Sequence, residues 1–84
     1  MALDVGDRRI GVAVSDGSGI IVTPLTVIQR GSKLDDFVRI AVLMRERDAN
    51  VLVVGQPLND DGSVTPQALR IQRYTAALVD ALRS

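Results

Sequence analysis

The sequence predicts a layered α/β fold in the order β-β-β-α-β-α, with a mixed sheet of strand order 3-2-1-4. Three observations lead there. Apolar side chains up to Gln29 recur with a period of two and are broken by turn residues, as in consecutive antiparallel strands. After Ser32, and again after Thr65, they recur at helical spacing. Between those helices, Val51-Leu52-Val53-Val54 has no polar face, the pattern of a central parallel strand buried on both sides. An antiparallel meander that crosses through a helix into a parallel strand is an α/β architecture.

In chain order, Leu3 and Val5 flank a single acid, Asp4, and Gly6-Asp7 is a strong turn pair. Ile10, Val12 and Val14 then alternate with Gly11, Ala13 and Ser15, a strand with two distinct faces. Asp16 and Gly17-Ser18-Gly19 form the next turn. Ile20 to Gln29 is a third strand interrupted at Thr23-Pro24; proline cannot donate to a ladder, so this strand belongs at a sheet edge or bends there. Ser32 caps a helix with Asp35 and Asp36 in its first turn, where the helix dipole favours acids. Leu34, Phe37, Val38, Ala41 and Met44 form its expected buried stripe. Ile40, Val42 and Leu43 widen that stripe until the helix is largely covered, and Ala49-Asn50 ends it. Gly55 to Val64 is a loop rich in turn residues. Thr65 caps the second helix, Pro66 takes its first position, and Ile71, Tyr74, Thr75, Leu78 and Leu82 are its core stripe.

At 84 residues the chain is at most one small domain, burying only about two-thirds of its unfolded surface. With 46% hydrophobic and 24% charged residues, the composition argues for a globular protein and against disorder. Ten basic and ten acidic residues cancel, so no global cationic field announces nucleic acid, although a local patch is compatible with the sequence. Cysteine and histidine are both absent, which excludes disulfides, thiol nucleophiles, zinc-finger sites and histidine bases. Asp4, Asp7, Arg8 and Arg9 occupy the place of a signal peptide's apolar segment, and no apolar run reaches the roughly 20 residues of a bilayer span. No membrane association and a cytoplasmic location are expected.

Asp4 is the main candidate for chemistry. An unpaired carboxylate inside an apolar strand costs several kcal/mol, so it requires a partner, a metal or a solvated cleft. One reading makes it a ligand of Mg²⁺ or Mn²⁺, hard cations that take oxygen ligands; the other pairs it with Arg8 or Arg9. Gly11 and Ala13 across from it leave room for approach to the backbone. Arg8 and Arg9 are either solvated turn charges or, beside a metal site, phosphate contacts. Asp16 is most simply a turn residue. The loop Gly55-Gln56-Pro57-Leu58-Asn59-Asp60-Asp61-Gly62-Ser63 follows the carboxyl end of the parallel strand, where α/β sheets place ligand sites. A surface turn whose residues serve backbone geometry accounts for it equally.

Two stretches carry a family resemblance. Asp4-Val5-Gly6, continuing as Arg9-Ile10-Gly11-Val12-Ala13-Val14-Ser15-Asp16, resembles the opening of the YqgF family. These are RuvX-like bacterial proteins with a ribonuclease H-like fold, described as Holliday junction resolvases and as nucleases maturing the precursor of 16S ribosomal RNA. The second stretch is similar to the family pattern Gly-x-Pro-Leu-Asn-x-Asp-Gly-Ser followed by Pro-Gln-Ala. It is supplied by Gly55, Pro57, Leu58, Asn59, Asp61, Gly62, Ser63, Pro66, Gln67 and Ala68. The resemblance runs from Ala2 through the second helix. It implies a ribonuclease H-like domain over residues 1–84, as the N-terminal portion of such a domain. It also implies Asp4 as catalytic and metal-binding carboxylate with Mg²⁺ or Mn²⁺, and structured RNA or branched DNA as substrate.

Gln56 stands where the family usually shows an apolar residue. The family's further strand with its Glu, and a late helix with a further Asp, have no counterpart in this sequence, so Asp4 alone carries over. Metal-assisted phosphodiester hydrolysis needs several carboxylates, and the isolated chain is therefore expected to be inactive. An apolar Val51–Val54 edge with no outer neighbour also reads as a piece of a longer protein or a truncated relative. Two alternatives stand beside this reading. One is a catalytically incomplete module that binds nucleic acid or protein, with homodimerisation through that edge. The other is an actin-like phosphotransferase fragment, whose first phosphate loop is also an Asp-x-Gly hairpin.

Overall fold

The computed structural model describes residues 1–15 and 22–83. The expected turn at Asp16 to Gly19 and the first two residues of the third strand, Ile20 and Ile21, lie outside the described residues. The elements follow the expected order: β1 (Ala2–Val5), β2 (Arg9–Ser15), β3 (Val22–Gln29), α1 (Lys33–Glu46), β4 (Val53–Val54) and α2 (Pro66–Leu82).

The sheet order is β3-β2-β1-β4. β1 and β2 pair antiparallel from Ala2↔Ala13 to Val5↔Ile10, and β4 joins β1 in parallel. The hairpin between β1 and β2 is closed by the Gly6 amide donating to the Arg9 carbonyl at 2.8 Å, so Asp7 and Arg8 occupy its tip. A Cβ on Gly6 would stand 3.0 Å from that same oxygen, tighter than an ordinary contact, so glycine lets the turn close without a shift there. β3 lies at the sheet edge, as Pro24 requires. Opposite Pro24 the ladder shifts register between Val12 and Ala13, leaving Leu25 as an extra residue on β3.

Both helices pack on one face of the sheet. Leu3, Val5, Ile10, Val12 and Ile28 meet Phe37 and Ile40 of α1 and Ile71, Tyr74 and Leu78 of α2 in a single core. Phe37 and Tyr74 meet edge to face with centroids 5.2 Å apart. The caps are as expected: Ser32 Oγ accepts from the Asp35 amide at 3.1 Å and Thr65 Oγ1 from the Ala68 amide at 3.0 Å. No described element covers the other face, where Ala2, Asp4, Gly11, Ala13, Val27 and Val53 line a shallow depression.

That one-sided arrangement corrects two expectations. Val51–Val54 is not buried on both sides: only Val53–Val54 form a strand, Leu52 and Val54 turn partly into the core, and Val51 and Val53 are 64% and 59% exposed. Nor is α1 covered all round. Phe37 and Ile40 are buried and Ala41, Leu43 and Met44 half-buried, whereas Leu34, Val38 and Val42 face away from the core and are exposed. The stripe is rotated toward Asp36, which is 1% exposed. The helix also stops earlier than Ala49-Asn50. Asp48 takes a left-handed conformation (φ 51°), and the Ala49 amide reaches back to the Met44 carbonyl at 2.8 Å, closing a Schellman motif.

Candidate functional site

Asp4 sits at the centre of the uncovered face. Its cross-strand partner is Gly11, and a Cβ there would lie 3.6 Å from the Asp4 Cβ, so glycine keeps the floor beside the carboxylate flat. Ala13, one pleat further along β2, adds only a methyl group. Asp4 is exposed, and among the described residues it forms no salt bridge with Arg8 or Arg9. Arg9 shares the open face, two residues from Gly11 on β2 and therefore diagonal to Asp4, roughly 7 Å away along the pleat. Arg8 lies at the hairpin tip, where its carbonyl accepts the Arg30 amide at 2.9 Å.

Parallel pairing brings the second motif to the same end of the sheet. The Gly55 amide donates to the Leu3 carbonyl at 3.2 Å, and Gly55 lines the depression together with Asp4. Beyond it the loop folds on itself. Leu58 bridges to Val64, the Asn59 amide donates to the Ser63 carbonyl, and Asn59 Nδ2 donates to Ser63 Oγ at 2.8 Å. The Ser63 amide donates to Asp61 Oδ1 at 2.9 Å, and hydrogen bonding from Ser63 holds the Asp61 carboxyl below its usual range. Gly62 supplies the positive φ (83°) that this turn requires. Pro57 accepts from Thr65 Oγ1 at 3.3 Å, which fastens the loop to the start of α2. Asn59, Asp61, Gly62 and Ser63 thus build the loop's own scaffold, while Gly55 is the member that borders Asp4.

Over residues 1–84 the chain matches the family described as RuvX, Holliday junction resolvase. It belongs to the RuvX family. A relative from Synechococcus sp. (strain JA-3-3Ab), bearing the name "Putative pre-16S rRNA nuclease", is 50% identical over 98% of this chain and 52% of its own length. A second Synechococcus relative of the same name (strain JA-2-3B'a(2-13)) is 51% identical over 93% of this chain and 46% of its own. One from Thermoanaerobacter pseudethanolicus, also so named, is 43% identical over 96% and 58%. The chain spans about half the length of these RuvX-family relatives.

Whether this part of a RuvX protein can hold a divalent ion by itself is a question of donors. No group of three or more acidic side chains converges among the described residues. Asp4 is a single monovalent ligand facing water, which does not satisfy the several oxygens that Mg²⁺ or Mn²⁺ require. The residues present therefore do not make a complete metal site. No helix among the described residues is long and apolar enough to cross a membrane.

A buried polar network lies on the opposite side of the sheet, and sequence reasoning missed it. Asp36 accepts from Tyr74 Oη at 3.1 Å and from the Gly31 amide at 3.0 Å, and Arg30 Nε approaches it to 3.8 Å. Arg30 lies over the Tyr74 ring, 4.6 Å from its centroid, and donates from Nη1 to the Gly6 carbonyl at 2.8 Å. Burial, with the Asp36 charge added, pushes the Tyr74 hydroxyl well above its usual range. The network ties the Gly6 turn beside Asp4 to both helices. Its sequence signal was the spacing of Asp36, Ile40 and Leu43, which places the acid on the buried stripe.

Proposed function

We propose that this chain supplies the Asp4-bearing sheet of a divalent-metal-dependent nuclease acting on structured nucleic acid. Its substrates are a 16S ribosomal RNA precursor or a branched DNA, and its place is the cytoplasm. The observation that carries this reading is an accessible carboxylate on a flat floor of small residues, in a chain of the RuvX family. In this reading Asp4 is one ligand of Mg²⁺ or Mn²⁺, Arg9 and Arg8 contact phosphate from the hairpin, and Gly55 keeps the neighbouring wall low. The isolated chain does not cleave, because phosphodiester hydrolysis of this kind needs several carboxylates to fix the ions and the described residues bring only Asp4 to the depression.

The test compares this chain with a chimera that joins it to the remaining half of the Synechococcus relative, using labelled precursor-type RNA and a four-way DNA junction in Mn²⁺. The expected result is no cleavage by the folded chain, cleavage by the chimera, and loss of that cleavage in the chimera carrying Asp4→Asn. Cleavage by the chain alone would overturn its inactivity. An active Asp4→Asn chimera would remove Asp4 from the machinery.

The exposed Val51 and Val53 beside the short edge strand β4 favour one second reading, a protein-binding module that dimerises along that edge. It predicts concentration-dependent sedimentation that Val53→Lys abolishes.

A further inference from the structure

We infer that the cavity at the Gly6–Asp7 turn, between the starts of α1 and α2, binds a phosphate group of a nucleic-acid backbone. Arg30, Lys33, Gln67, Arg70 and Arg73 line it together with Asp7. The inference rests on the nucleic-acid reading above and adds a site on the other side of the turn from Asp4.

Charge placement is the first argument. The chain is neutral overall, yet Arg8, Arg9, Arg30, Lys33, Arg70 and Arg73, six of its ten basic residues, gather at this end of the sheet. Among the described residues, the ion pair that Arg70 forms is with Asp7, at 3.7 Å, with the two side chains 58% and 74% exposed. An ion pair that open contributes little, so a phosphate can take Asp7's place beside Arg70.

Preorganisation is the second. Arg30 is held by the Gly6 carbonyl, the Asp36 carboxylate and the Tyr74 ring, so its guanidinium is fixed before any ligand arrives. A planar guanidinium matches phosphate oxygens in pairs. Arg70 and Arg73 stand three residues apart on α2 and present their charges from one helix face. Lys33 approaches from the start of α1, and Gln67 adds a neutral donor.

Size selects the ligand. The cavity measures about 240 Å³, below the roughly 300–1,000 Å³ of small-molecule sites. It suits one phosphate of a longer strand better than a whole nucleotide with its base. Gly6 is two residues beyond Asp4, just past the end of β1, so roughly 7 Å of backbone separates them. A backbone pinned in the cavity therefore crosses the turn close to the candidate carboxylate.

The test is fluorescence anisotropy of a fluorescein-labelled RNA hairpin with a single-stranded tail, titrated with the chain in EDTA over a series of salt concentrations. The double variant Arg70→Ala/Arg73→Ala is expected to bind about tenfold more weakly at low salt. The slope of log affinity against log salt should fall by about 1 to 2, as for one or two lost phosphate contacts. Both positions are exposed and alanine favours helix, so circular dichroism should show an unchanged fold; Arg73→Gln alone provides a milder second variant. Arg39→Ala/Arg45→Ala, elsewhere on α1, is expected to bind as the parent does. Equal affinity and slope for the parent and Arg70→Ala/Arg73→Ala would overturn the site while leaving the nucleic-acid reading intact. A parent chain that binds neither the hairpin nor junction DNA would overturn both. If sodium pyrophosphate then shifted the Gly6 and Gln67 amide resonances, the cavity would be a small-anion site instead.

Discussion

The two faces of this sheet are made by the same strands and have opposite fates. Leu3, Val5, Ile10, Val12 and Ile28 point into two helices and are buried, while Asp4, Gly11, Ala13, Val27 and Val53 point the other way into solvent. One face is a core of branched and aromatic side chains; the other is a low floor of small residues carrying one acid. The difference teaches that Asp4 is not an acid tolerated inside a core. A mid-strand carboxylate is cheap where no described element covers the sheet, and the core of the described residues lies on the helix side.

The largest effect should therefore come from truncating the covered face. Leu78→Ala, at a fully buried position, is expected to cost about 2–5 kcal/mol. Val53→Ala on the open face should stay within about 0.5 kcal/mol. Urea unfolding of the two variants compares them directly, and equal losses would mean that the open face is covered in solution.

The buried network comes next. Asp36→Ala leaves the Tyr74 hydroxyl and the Gly31 amide without their acceptor and should cost about 1–3 kcal/mol. Tyr74 also gives this side of the molecule an alkaline limit. Its folded pKa is raised above the ordinary 10.0, so its contribution is fully present below pH 10.0 and is lost as pH rises toward the folded value. Thermal melts between pH 9 and 11 should show a decline that Tyr74→Phe lessens.

On the open face, Asp4→Asn should leave the free energy of urea unfolding within about 0.5 kcal/mol of the parent, because that carboxylate supports no described ion pair. A large loss of stability would instead make Asp4 a structural residue. The smallest effect belongs to the loop. Ser63→Ala removes the hydroxyl, the larger of the two Ser63 donors that hold Asp61 below 3.8, and keeps the amide, so the Asp61 midpoint should rise part of the way toward that value in an NMR titration. The loop contribution is present above pH 3.8 and is lost as pH falls through the folded value.

Most of the architecture was legible because its signals are local. Ser32 and Thr65 announce their helices, Pro24 sends its strand to an edge, and alternation fixes which residues of β1 and β2 share a face. The side on which both helices settle is a property of the whole chain. For that reason Val51, Val53, Leu34 and Val38 were expected inside and are outside. Asp36 was hidden by a sufficient local explanation, since an acid in a first helical turn already satisfies the dipole; its partner Tyr74 lies on another helix. Of the candidate site, Asp4 and its glycine partner could be read from the hairpin. The cationic cavity could not, because its walls come from the β1–β2 turn, Arg30 and both helices, and only the i, i+3 spacing of Arg70 and Arg73 hinted at it.

The short parallel strand has a consequence for motion. β4 is joined to β1 through the Val53 amide on the Met1 carbonyl and the Gly55 amide on the Leu3 carbonyl, and its ends are separated in sequence from β1 by the whole meander and α1. A ladder of two residue pairs between strands so distant along the chain opens at lower cost than the seven-pair ladder of β2 and β3. The amides of Val53 and Gly55 should therefore exchange with solvent through a local breathing event, well ahead of that of Val12 in β2.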